Sequence, residues 1–156
     1  VALNMPTHQL IKPENLDFLR SLSPYGKQLV LELHHTPQLL AKQDYLRLLA
    51  QLTQLREWGY TLILEGLETN FHNLDEITQY LPYLHGLKWP YTKFVSLDQH
   101  VHEQFIKAWQ KLAADYHLIF ILDKVADQQL SQHYLKQGLL VQQDPQVATE
   151  LIEGSH

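Results

Sequence analysis

Gln28-Leu29-Val30-Leu31-Glu32-Leu33, followed further on by Thr61-Leu62-Ile63-Leu64-Glu65, decides the reading of this chain. Both stretches are continuous aliphatic runs without polar alternation. That is how strands buried on both faces of a parallel sheet look. Between them Tyr45, Leu48, Leu49, Leu52 and Leu55 fall three and four apart from Asp44 to Trp58, which lays them on one side of a helix. Gly59 comes directly after as a helix stop. Strand, helix and strand in this order make a βαβ unit, the crossover that parallel strands need.

The same alternation extends in both directions. Val1–Asn4, Gly86–Trp89, Leu118–Leu122 and Leu139–Gln142 read as further strands. Helices are expected from Glu14 to Leu22 behind Lys12-Pro13, from Leu74 to Leu81 before Pro82, over Val101 to Tyr116, and from Asp127 to Gln137. Asp127 is placed to cap the last of these and Gly138 to end it. The predicted fold class is α/β, a parallel β/α barrel or part of one, with about six strands. One domain is expected over residues 1–153, with Gly154-Ser155-His156 read as a tail outside it.

Composition narrows the function classes. The chain has 156 residues, 45% hydrophobic and 19% charged, which suits a globular domain. Its apolar runs are far shorter than the roughly 20 residues of a membrane span, and no signal-peptide pattern opens it. The net charge is −5, with no Lys/Arg stripe to neutralise phosphates, so DNA or RNA is not expected as a partner. There is no cysteine, which removes disulfides and thiolate metal sites and fits a cytoplasmic protein.

The polar residues closing the strands suggest chemistry. Asn4, Glu32, Glu65, Lys88, Asp123 and Gln142 each follow an apolar run. In a β/α barrel these ends converge on the face where loops build the site. Carboxylates and an amide oxygen there are ligands for Mg²⁺ or Mn²⁺. Any strand stops at something polar, so a single such residue carries nothing; the succession of six points to a site. Among ten histidines, the adjacent His34 and His35 face opposite ways on a strand and would not share a metal. His100 and His102 fall at a helix start. Trp58, Trp89 and Trp109 read as packing residues, although Trp89, beside Lys88, is also placed to stack on a guanine.

These same residues carry a resemblance. Val1-Ala2-Leu3-Asn4-Met5-Pro6 looks like the Val-Asn-Leu-Ser strand of the EAL domain family of cyclic di-GMP phosphodiesterases. Leu29-Val30-Leu31-Glu32-Leu33 looks like its Leu-Val-Leu-Glu-Ile strand, and Leu55 to Asn70 like the stretch leading into Asp-Asp-Phe-Gly-Thr-Gly. Leu81-Pro82, Leu87-Lys88 and Phe94-Val95 resemble its Leu-Pro, Leu-Lys-Ile-Asp and Phe-Val pieces. Ile121-Leu122-Asp123-Lys124-Val125 sits where Val-Ala-Glu-Gly-Val belongs, and Val141-Gln142 where Val-Gln-Gly-Tyr belongs. The pieces occur in order over nearly the whole chain.

The resemblance implies an EAL-type barrel lacking about its first two βα units, since eight strands need roughly 250 residues. It matches Asn4, Glu32 and Glu65 to metal ligands, Lys88 to the lysine near the attacking water, and Asp123 and Gln142 to later site residues. The departures are Gly66 for the second Asp, Asp123 for a glutamate, Ala126 for a further glutamate and Pro90 for an Asp, and no Glu-Ala-Leu strand is present. The expectation is a degenerate cyclic di-GMP module of bacterial signalling without normal catalysis, its Mg²⁺ or Mn²⁺ weak or absent. Two rivals stand beside it: an active phosphodiesterase once upstream strands are present, and a protein-interaction scaffold that binds no nucleotide. Two open sheet edges would call for a homo-oligomer or an upstream segment to complete the barrel.

Overall fold

The computed structural model describes residues 1–34, 40–65, 74–91 and 98–143, without the side chains of residues 74–76 and 143. Six parallel strands alternate with helices along the chain, the architecture of part of a β/α barrel. The strands are β1 (Ala2–Pro6), β2 (Val30–His34), β3 (Thr61–Glu65), β4 (Gly86–Pro90), β5 (Ile119–Val125) and β6 (Leu140–Gln143). The helices are α1 (Pro13–Ser21), α2 (Lys42–Glu57), α3 (Leu74–Tyr80), α4 (Gln99–Asp115) and α5 (Gln128–Lys136). The chain divides into two compact units, Val1–Gly86 and Leu87–His156.

In the first unit β1, β2 and β3 are neighbours in chain order, all parallel. Leu31 and Leu33 of β2 and Leu62 and Leu64 of β3 are at most 1% exposed. The register pairs Leu31 with Leu62 and Leu33 with Leu64, so the four share one face. A βαβ crossover lays its helix over the strands it joins, and the buried side of α2 carries Leu48, Gln51, Leu52 and Leu55. Each fully buried leucine contributes about 1.5–3 kcal/mol, so this layer dominates the unit. Tyr60 anchors α1 to it: the ring is buried and its hydroxyl donates to the Leu19 carbonyl at 2.7 Å.

Strand β2 starts at Val30, two residues later than its apolar run suggested. Ser23–Gln28 is a 3₁₀ turn, set by Pro24 at its start and closed by the Leu29 amide donating to the Gly26 carbonyl. In the second unit β4, β5 and β6 are neighbours, with β5 and β6 parallel. Asp98 and Asp127 cap α4 and α5, each carboxylate accepting two backbone amides of the first turn.

Candidate functional site

Parallel register sets the first group of candidate residues side by side. Asn4 pairs with Glu32, and His34 pairs with Glu65. Side chains alternate along a strand, so Asn4, Glu32, His34 and Glu65 share the face opposite the leucine layer. That face is not dry: Asn4 is exposed, and Glu32, His34 and Glu65 are half-buried. The expectation that these strands are buried on both faces holds at Ile63, 8% exposed on this same face, and is corrected at Asn4, Glu32, His34 and Glu65. One face is apolar and closed, and the other carries polar groups that keep water. A second correction concerns strand ends. Asn4 and Glu32 lie inside β1 and β2, Lys88 inside β4, and the ladders run on past them. They are face residues near the C-terminal ends and do not terminate the strands.

His34 is the residue that sequence reasoning missed as a partner of this group. Its Nε2 lies 2.6 Å from Glu65 Oε1, with the imidazole side chain 44% exposed and the carboxylate 15% exposed. The signal was present: two residues beyond Glu32 on a strand is the same face.

In the second unit Lys88 and Asp123 are buried, at 5% and 8% exposure, on the neighbouring strands β4 and β5, while Gln142 on β6 is exposed. Leu122 pairs with Val141 and Val125 with Gln143, so Asp123 and Lys124 together stand opposite the single residue Gln142. The register shifts here, as it does at β-bulges, which re-aim side chains. Lys124 takes a left-handed conformation within the shift, with φ 58°. The glycine of the resembled motif would sit there without steric cost, whereas an L side chain costs about 1–2 kcal/mol. Lys124→Gly is expected to raise stability by about 0.5–1 kcal/mol, after the greater freedom glycine gives the unfolded chain. A lower midpoint in urea would contradict this.

Trp89 lies in the core of its unit. It is 1% exposed, its ring is 5.7 Å from that of Trp109, and its Nε1–H points at His102 Nε2, 3.4 Å away. Tyr91 covers His102 with ring centres 4.5 Å apart and meets Tyr134 edge-on. Burial pushes the His102 imidazole below its ordinary value, against the opposing pull of Glu103. His85, in the first unit, is likewise lowered by burial and then by Arg56; its Nδ1 accepts the Leu62 amide at 3.0 Å. Both rings serve as acceptors and must be neutral. Their folded pKa values lie below the unfolded value of 6.5, so their contribution is complete above it and is lost as pH falls through the folded values. The urea midpoint is expected to drop between about pH 7 and about pH 5, and to drop less in a His85→Gln, His102→Gln double variant.

A cleft of about 320 Å³ opens in the second unit among Gln110, Ala114, Ile119, Phe120, Gly138 and Leu140. It lies at the N-terminal ends of β5 and β6, away from Asp123 and Gln142, and no titratable side chain lines it. Chemistry is not expected there.

No protein-family model matches the sequence, and no curated protein matches it. Solved structures do. The Bacillus subtilis YkuI protein, which has an EAL domain, aligns over 91% of this chain and 36% of its own, with TM-score 0.73 at 18% identity. The PaMucR phosphodiesterase aligns over 91% and 58%, with TM-score 0.71 at 20% identity. The EAL domain of Mycobacterium smegmatis DcpA aligns over 91% and 64%, with TM-score 0.70 at 16% identity. The chain has the EAL-domain fold. It spans 38% of the first of the matched chains and 64% of DcpA's, so the EAL-type frame from β1 to β6 is part of a longer architecture in those proteins.

YkuI was solved with cyclic di-GMP and calcium, and PaMucR in a cyclic di-GMP complex. A divalent ion needs several oxygen ligands converging on one point. Among the described residues, no three His, Asp or Glu side chains stand close enough to hold a metal ion. Within the first unit the carboxylate best placed for one, Glu65, is engaged by His34. The described His, Asp and Glu side chains thus form no such cluster. His35, Gly66, residues 67–73 and the Phe94-Val95 pair lie outside the described residues. Among the described residues, no helix is long and apolar enough to cross a membrane.

Proposed function

We propose that this chain is a degenerate EAL-type module that binds cyclic di-GMP in signalling and does not hydrolyse it at an ordinary enzymatic rate. The reading is supported most by one observation: the chain shares the frame of solved EAL-domain structures, while Gly66 and Pro90 stand where the resembled motifs carry carboxylates. Phosphodiester hydrolysis of the two-metal type needs both ions placed together. Binding asks less. Asn4 offers an amide and Lys88 an ammonium, groups that recognise phosphate and base edges without a metal. In the second unit Asp123 on β5 and Gln142 on β6 add hydrogen-bonding groups. Any Mg²⁺ or Mn²⁺ would be held weakly.

Calorimetric titration of the chain with cyclic di-GMP, with and without Mn²⁺, tests the reading. Binding that persists without the ion, and no linear product over hours, is expected. No heat at millimolar nucleotide would favour a scaffold that contacts proteins only. Steady turnover with Mn²⁺ would favour a working phosphodiesterase.

A further inference from the structure

We infer that His34 closes this fold's cation site from within: its imidazole occupies the Glu65 carboxylate oxygen that a divalent ion would need. The inference rests on the fold and not on nucleotide binding. Glu65 Oε1 is 2.6 Å from His34 Nε2, a short, charge-assisted contact. The strand register makes it a built feature, because His34 and Glu65 are directly paired residues of β2 and β3. Glu65 is the less exposed partner, at 15%, while His34 reaches it from the wetter side, at 44%. Nε2–H donates in the neutral tautomer protonated there and in the imidazolium alike, so the closure does not depend on the charge of the ring.

An ion arriving at Glu65 must compete with this donor for the carboxylate's lone pairs. Glu32 and Asn4 share the face but lie two positions earlier along the strands. They leave Glu65 as the carboxylate nearest the strand ends, where loops gather around a barrel site. The loss of cation binding is thus not only a matter of ligands that are absent. A ligand that is present has been given another partner.

The test is direct cation binding without nucleotide, read as free Mn²⁺ by electron paramagnetic resonance and as Ca²⁺ heat by calorimetry. His34→Ala should bind Mn²⁺ about tenfold more tightly than the parent chain, the scale expected when one charge-assisted hydrogen bond no longer competes. His34→Gln, which keeps a donor, should gain much less. Adding Glu65→Gln to His34→Ala should abolish the gain and so assign it to that carboxylate. If His34→Ala does not fold, as judged by circular dichroism, His34→Val keeps a strand-forming residue and carries the same comparison. Equal affinity of parent and His34→Ala chains overturns the inference. Weaker binding by His34→Ala also overturns it, because His34 would then be a ligand. Failure of cyclic di-GMP to bind leaves these outcomes unchanged and bears only on the proposed function.

Discussion

Gly26→Ala is expected to cost about 3 kcal/mol or more, a large share of the roughly 5–15 kcal/mol that holds a domain together. A Cβ at this position would stand 2.0 Å from the Trp58 carbonyl oxygen and 3.0 Å from its carbon. Both are backbone atoms, so no side chain can swing away. The Trp58 carbonyl ends α2, and Gly59 follows it at φ 89°, with its own Cβ position 3.0 Å from the Lys27 side chain. The two glycines let the turn before β2 and the turn before β3 press together. The consequence runs into the sheet, because the Leu29 amide bonds to Gly26 and the Thr61 amide bonds to Leu29. Forcing the turns apart shifts the start of both strands. Urea unfolding followed by tryptophan fluorescence measures the loss. Gly138→Ala is the control: φ is 80° but nothing lies within 4 Å of the added carbon, so only the backbone cost of about 1–2 kcal/mol applies. Equal losses at the two positions would show that the close approach at Gly26 is not what matters.

Trp89→Ala is expected to cost about 3–5 kcal/mol, the range for removing a buried aromatic side chain. The indole is 1% exposed, packs on Trp109 and points its N–H at His102. Truncation leaves a cavity under β4 and removes the group that faces the His102 acceptor. Trp89→Phe should lose less, since the ring contact survives and only the N–H is gone. The pair also bears on function. Lys88 precedes Trp89 and therefore faces the other side of the strand. Nucleotide affinity in Trp89→Phe should stay near the parent value. Weaker affinity at an unchanged urea midpoint would make this indole a stacking platform for a base.

The βα succession was legible because each strand is a short aliphatic run and each helix an apolar stripe with a stop signal. Asp127 and Gly59 do what their types foretold. The ends were less legible. Leu29 looked like strand because it is apolar, yet the Pro24 and Gly26 turn claims the chain as far as Gln28. Burial was read correctly within Leu62-Ile63-Leu64, all at most 8% exposed, and misread only at the polar positions Asn4, Glu32, His34 and Glu65, which keep water. The polar groups near the strand ends were found, because a charge interrupting an aliphatic run is visible in one dimension. Their pairings were not, since the His34 contact to Glu65 depends on inter-strand register, which no single strand encodes. The register shift at Lys124 left no trace either: a lysine gives no hint of a positive φ.

The separation of a closed leucine face from a wet polar face in the first unit bears on how such a domain drifts over generations. Asn4 and His34 have substantial contact with water, so substitutions there escape the penalty that empties or overfills a core. Chemistry can fade by random change on that side while selection for folding polices only the other. Lys88 and Asp123 answer to a different constraint, being buried. Among descendants that no longer bind nucleotide, positions 4 and 34 should diversify first, and positions 88 and 123 should change late and in ways that preserve side-chain volume.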